Sequence, residues 1–185
     1  MSEQTLNNFS LISRLFGNLF YRAPNDEILA GVLAWLQQQG LQQVWALDTD
    51  KESQAAIDSL QMPIATDVLQ AEYDFIFTGE NAVSTRISDY DVNVADFVAF
   101  RAERGMPAVE SADHFGLVFL TASWIEDNLD SVDAQRQLFE QFLLPCASKF
   151  LSRVEAKAKL PFYRSLALLS REILAAMADE LDETE

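Results

Sequence analysis

Apolar side chains recur every three to four residues along almost the whole chain, a spacing that leaves little room for any architecture but packed helices. Phe9, Ile12, Leu15, Phe16, Leu19 and Phe20 make one stripe, which predicts a helix over residues 5–21. Asn25 suits the start of the next, with Asp26 and Glu27 favourable in its first turn, Ile28, Leu29, Val32, Leu33 and Leu36 inside, and Gly40 at its end. A weaker helix is expected over 51–60. Pro63 suits the start of another, striped by Val68, Leu69, Tyr73, Ile76 and Phe77 and stopped by Gly79. Residues 93–104 carry Val94, Phe97, Val98 and Arg101 at helical spacing. Ser111 is the expected cap of a long helix with Phe115, Val118, Phe119 and Ala122, and Ser131 that of one with Leu138, Phe139 and Phe142. Pro145 should bend that helix or begin a new one, since it supplies no N–H and clashes with the preceding turn. Pro161 opens the last helix, whose inward set is Leu166, Leu169, Ile173 and Met177. With no hairpin signal, internal repeat or strand–glycine turn–helix unit, the expected fold is all-α, a single-domain helical bundle over 1–185.

The composition bears on function. Six Gly and five Pro in 185 residues leave no Ser/Gly linker to divide the chain. A single cysteine, Cys146, cannot pair within its own chain and fits a reducing compartment. The first 30 residues lack a basic start followed by a small-residue cleavage site, and no apolar run approaches 18 residues, so a cytoplasmic protein without direct membrane insertion is expected. The net charge of −16, from 13 basic and 29 acidic side chains, disfavours nucleic acid as a partner. Six of those acids follow Arg171 with no base among them (Glu172, Asp179, Glu180, Asp182, Glu183 and Glu185), so the end of the chain is expected to be frayed and solvated.

Conventional catalytic equipment is sparse. His114 is the only histidine, so it cannot build a multi-histidine metal site, and neither H-E-x-x-H nor C-x-x-C is present. Asp113 lies beside it, but adjacent residues in the first turn of a helix do not face each other, so a carboxylate–imidazole relay is disfavoured and a cap or an interhelical contact fits His114 better. Ser84 and Ser88 sit in no G-x-S-x-G elbow, and Cys146, beside Leu143 and Leu144, reads as a small buried hydrophobe. Asp89, Asp91 and Asp96 could hold a magnesium ion chemically, but without a recognisable geometry. No cofactor is expected. The stretch 79–92 stands apart as a polar, acidic loop between two helices, and from Glu72 to Asp96 there are six acids against one base, Arg86. That acidic segment is the first candidate for a docking surface.

Several segments, taken in order, resemble the TorD/DmsD family of cytoplasmic redox-enzyme maturation chaperones. Glu72-Tyr73-Asp74-Phe75-Ile76-Phe77-Thr78-Gly79 is similar to that family's E-Y-x-x-L-F-x-G segment, and Ala112-Asp113-His114-Phe115-Gly116 to its D-H region at the start of a long helix. Leu15-Phe16-Gly17-Asn18-Leu19-Phe20-Tyr21, Pro145 and Pro161-Phe162-Tyr163 extend the likeness over nearly the whole chain. Arg104-Gly105-Met106-Pro107 and Ala122-Ser123-Trp124-Ile125-Glu126-Asp127 resemble the YcdY-like branch. One element departs: where family members carry Pro-Pro-Tyr-x-Ser, this chain reads Ser84-Thr85-Arg86-Ile87-Ser88, and losing two fixed φ angles should loosen the loop.

The resemblance implies a chaperone that binds an immature metalloenzyme and assists metal or metal-cofactor insertion without performing covalent chemistry. For the YcdY-like branch it implies a PHP-type phosphohydrolase client. For other members it implies a molybdoenzyme or its twin-arginine signal peptide, and that is the alternative carried here. It also leaves a homodimer open. Residue by residue it points to Glu72, Tyr73, Ser88, Asp113 and His114 as partner-binding, to which the acidic loop adds Asp89, Tyr90 and Asp91. A small hydrolase using His114 with a carboxylate or a metal is the alternative from another class.

Overall fold

The computed structural model describes residues 3–45, 47, 49–129 and 131–183, with side chains from residue 8 onward. Among them the chain forms α1 (Glu3–Tyr21), α2 (Glu27–Gln37), α3 (Gly40–Val44), α4 (Lys51–Gln61), α5 (Thr66–Phe77), α6 (Val94–Glu103), α7 (Phe115–Asn128), α8 (Val132–Leu138), α9 (Leu144–Lys157) and α10 (Pro161–Glu183). A 3-10 turn at Ile87–Tyr90 and a π-helical turn at Phe139–Leu143 interrupt the series, and no described residue is in a strand. This is the all-helical, single-domain bundle that the periodicity predicts. None of the described helices is long and apolar enough to cross a membrane.

The most extensive helix pair is α1 with α7, and two glycines set its spacing. A Cβ on Gly116 would lie 2.7 Å from the Tyr21 nitrogen and 2.8 Å from the Gly17 oxygen, and one on Gly17 would meet Leu120 at 2.8 Å. The helices run antiparallel: Gly116 meets the end of α1, while Ser10, near its start, donates to Asp127 at 2.5 Å. The long α10 packs on α4 and α9. Phe150 of α9 occupies the centre, its ring against Phe20, Phe77, Tyr90 and Phe115 at centroid distances of 5.3, 6.2, 6.1 and 4.4 Å.

Several boundaries differ from the expected ones for local reasons. Asp26, not Asn25, caps α2 by accepting from Ile28 N. Gly40 does not end that helix. Gln39 takes the left-handed conformation there (φ 64°), and Gly40 opens α3 because a Cβ would sit 2.1 Å from the Trp35 indole. Pro63 acts backwards, pushing Met62 into extended backbone (ψ 139°) and so ending α4, and α5 waits until Thr66. Ile28, expected on the inner face of α2, and Val68, expected on the stripe of α5, are exposed, and so is Val98, whereas Phe100 takes an inner position on α6. Ser111 caps nothing, and α7 begins three residues beyond the expected start, at Phe115, whose N–H is held by Thr85 O at 2.8 Å.

Pro145 begins α9 after a widened turn in which Leu144 N donates to Phe139 O, five residues back. Cys146, fully buried, donates its thiol hydrogen toward the carbonyls of Phe142 and Leu143 at 3.1 and 3.4 Å. The acidic end of the chain is helical through Glu183, with Leu181 buried and its carbonyl accepting from Arg136. Glu185 lies outside the described residues.

Candidate functional site

Each carried-over residue is placed by an element whose own packing explains it. Glu72 faces inward from α5 with 4 % of its surface exposed. Its two carboxylate oxygens accept from Lys159 N at 3.3 Å and Leu160 N at 2.5 Å, the backbone donors just before α10. An acid here meets the positive end of a 23-residue helix, so Glu72 holds the fold and is withdrawn from the surface. Tyr73, half-buried, packs on Phe77 and Tyr163 at 5.0 and 6.2 Å, and burial, with Asp74 adding to it, raises its phenol above the usual range.

The stretch 79–92 is an anchored strap, contrary to the loosening expected from its missing prolines. Val83, Ile87, Tyr90 and Val92 are buried, and Val83 N donates to Ile76 O at 2.7 Å. The residues standing in the proline positions supply fastenings instead. Ser84 donates its hydroxyl to Asp89, the Ser84 carbonyl accepts from Tyr90 Oη at 2.6 Å, and the Thr85 carbonyl takes Phe115 N. Ser88 donates both N and Oγ to Asp113 at 3.0 and 2.5 Å, binding the strap to the entrance of α7. Tyr90 is therefore a core residue, with its ring edge on Phe150 and 1 % exposed. Burial pushes its phenol upward while Arg153 opposes that.

His114 is itself the N-cap of α7. Its Nδ1 accepts from Gly116 N at 2.9 Å, and its ring stands edge-on to Tyr21 at 4.9 Å. Burial depresses its pKa to about 4, with Asp113 opposing, so the imidazole is neutral near pH 7 and serves as an acceptor. Asp113 and His114 precede the helix instead of occupying its first turn, and they point to different partners: the carboxylate to Ser88, the imidazole to Gly116. No three His, Cys, Asp or Glu side chains among the described residues are gathered so as to hold a metal.

The accessible part of the expected site is therefore Ser88, Asp89 and Asp91. Asp91 adopts a left-handed φ of 67° that turns its carboxylate outward, 89 % exposed. The Ser84 hydroxyl first, and Arg86 in addition, hold Asp89 below the usual carboxylate range. What the local charge count misses is a basic stripe from distant sequence. Lys149, Arg153 and Lys157, four residues apart, share one face of α9 and lie along the strap. Lys149 pairs with Asp91 at 3.5 Å, Arg153 lies 5.1 Å from the Tyr90 ring centroid, and Lys157 donates to Glu80 O at 3.1 Å. Between strap and helix runs an open groove of about 720 Å³ with Val83, Ser84, Asp89, Arg153 and Lys157 in its walls. Its edge carries both signs of charge. The spacing of the stripe is visible in the sequence, whereas its facing the strap is a product of the fold.

No protein-family model matches the chain. It is 63 % identical over 183 residues to an uncharacterised protein of Haemophilus influenzae, covering 99 % of this chain and all of the relative. It is 36 % identical over 184 residues to the chaperone protein YcdY of Escherichia coli, covering 96 % of this chain and 98 % of that one. The Tat proofreading chaperone DmsD of Salmonella typhimurium is 29 % identical over 188 residues, covering 94 % and 91 % respectively.

Proposed function

The chain belongs to the TorD/DmsD family of chaperones, and from that premise we propose that it captures an immature redox or metalloenzyme client in the cytoplasm by a twin-arginine signal peptide. As a member of a chaperone family it is assigned binding and release, with no catalytic step. The observation that carries the peptide reading is the state of Asp89 and Asp91. Both stand on a strap tied to α5 and to the entrance of α7, so their positions are preorganised. Their present ionic partners are exchangeable, while the Ser84 hydroxyl stays on Asp89: Lys149 and Asp91 are 56 % and 89 % exposed, and Arg86 is 65 % exposed. Exposed pairs of this kind contribute about 0–1 kcal/mol. An incoming guanidinium, with its planar fork, displaces such a lysine at little cost. Ala82, Val83 and Ala156 supply the apolar part of the groove lining, against which the greasy stretch beside the cations would lie. Relatives named as Tat proofreading chaperones, aligned over more than nine-tenths of this chain, support the same reading.

The test is a titration of a fluorescent peptide carrying an Arg-Arg pair before an apolar run, against its Lys-Lys counterpart. The arginine peptide should bind about tenfold more tightly, and the double variant Asp89→Asn, Asp91→Asn should lose about that factor. Indistinguishable affinities for both peptides and both proteins would remove the strap from the site.

A second reading, a folded client such as a PHP-type phosphohydrolase, draws on the greater identity to YcdY than to the DmsD proteins. Affinity capture with a metal-free and a metal-filled client domain, each without a signal segment, separates the two. Retention of the metal-free domain alone favours this second reading.

A further inference from the structure

Arg101 is the only Lys or Arg among the described residues that is buried, 9 % exposed, in a chain where acids outnumber bases 29 to 13. It nevertheless pairs with none of them. Its Nη1 donates to Thr121 Oγ1 at 2.6 Å and its Nη2 to Pro107 O at 3.0 Å, both uncharged acceptors. No carboxylate of the described chain lies within ion-pairing reach of it. Thr121 passes its own hydrogen to Leu117 O at 2.7 Å, so its oxygen is committed as an acceptor. A guanidinium carries five N–H donors, and only two are met here by the chain. The carbonyls at the end of α6 offset part of the charge. They too are largely engaged: Met106 N takes Arg101 O at 3.1 Å and Gly105 N takes Ala102 O at 3.1 Å. That is a Schellman turn, permitted by Gly105 at φ 79°.

The same turn folds Met106 and Pro107 back over the guanidinium and leaves a small pocket of about 100 Å³. Val98, Ala102, Met106, Pro107 and Ala112 join Arg101 in its walls, and no acidic residue does. Val98 and Val109, 46 % and 38 % exposed, add apolar surface beside it. Met106 and Pro107, the second half of the Arg104-Gly105-Met106-Pro107 segment that the client reading leaves unused, form part of its wall.

We propose that the Arg101 pocket receives a carboxylate borne by an apolar stretch of a partner polypeptide. The cavity has room for a carboxylate and a methyl or two, and not for an aromatic ring. A buried guanidinium without a counter-charge is unfavourable, and a carboxylate satisfies both its charge and its remaining donors. The net charge of −16 repels free anions, so binding needs the apolar contact as well. This selects a carboxylate on an apolar chain over a small inorganic anion, and it does not depend on how the strap is used.

The experiment follows the Arg101 side-chain Nε–H by NMR while three short peptides are added: one ending Ala-Val with a free carboxylate, its C-terminal amide, and an amidated peptide with an internal Asp between apolar residues. A saturable Arg101 shift at about 1–10 mM with the free acid or the Asp peptide, and none with the neutral amide, is expected. Which of the two acids binds identifies the source as a chain terminus or a side chain. Ala102→Leu, at an exposed position lining the pocket, should abolish the shift while leaving the Arg101–Thr121 bond and the melting curve intact. Arg101→Lys should weaken binding about tenfold, because it keeps a charge and loses the fork. Equal responses to acids and amide, no saturable response to either acid, or an unaltered response in Ala102→Leu would each overturn the proposal, even where Arg101→Lys fails to fold.

Discussion

A methyl group on Gly116 has nowhere to go, because the atoms it would meet are backbone, the Tyr21 nitrogen at 2.7 Å and the Gly17 oxygen at 2.8 Å. Alanine favours a helix interior over glycine by about 1 kcal/mol, but separating α1 from α7 costs more, so Gly116→Ala should destabilise by about 1–3 kcal/mol in urea denaturation. Gly31 on α2 meets nothing within 4 Å, so Gly31→Ala should stabilise by about 0.5–1 kcal/mol. Opposite signs for one chemical change would show that packing and not propensity decides at Gly116. His114 offers a titration. Its folded pKa of about 4 lies below the ordinary 6.5, so between those values the unfolded chain takes up a proton that the folded one refuses. The His114 contribution is fully present above pH 6.5 and is lost as the pH falls toward 4, on the order of 3 kcal/mol across the window. His114→Asn keeps an acceptor for Gly116 N and removes the proton, so stability between pH 5 and 6.5 should lose most of its slope. An unchanged slope would place the titration elsewhere.

At the scale of the element, the helices and their inner faces are legible because a buried face must repeat every 3.6 residues. Leu166, Leu169, Ile173 and Met177 are all buried, and Ser131 caps α8 by accepting from Ala134 N. Where a contact from distant sequence intervenes, the same reasoning fails. Trp35 decides the use of Gly40, and Thr85 decides where α7 begins. The candidate site is legible in its residue types and far less in their duties. Glu72 and Tyr90 read as surface groups because their partners, the backbone before α10 and the Phe150 ring, are 87 and 60 positions away along the chain. Pro145 announces an interruption, but the π-helical turn that resolves it has no sequence sign of its own. Cys146 serves that turn, and burial pushes its thiol up to about 12. Such a thiol reacts only after the element opens, so labelling with a thiol reagent should be slow in buffer and accelerate with denaturant in parallel with global unfolding. Fast labelling of the native protein would mean that the α8–α9 junction opens on its own.

For the whole molecule, the charge of −16 makes any cationic peptide bind to some degree, so affinity alone does not locate the site. Salt dependence has the same weakness, since a diffuse field and a local pair are both screened. Removing a competitor is more discriminating. Lys149 occupies Asp91 in the free protein, and a peptide arginine taking that carboxylate must first evict it. Lys149→Ala therefore should strengthen binding of the twin-arginine peptide, by up to about fivefold given what an exposed pair contributes. Lys51→Ala removes the same charge from the start of α4 and controls for the change in overall field. A gain confined to Lys149→Ala, and abolished when Asp91→Asn is added, ties the cation to that carboxylate. Equal gains from the two lysine variants would mean that the peptide feels only the field of the molecule, and the anchored strap would then have no part in gripping it.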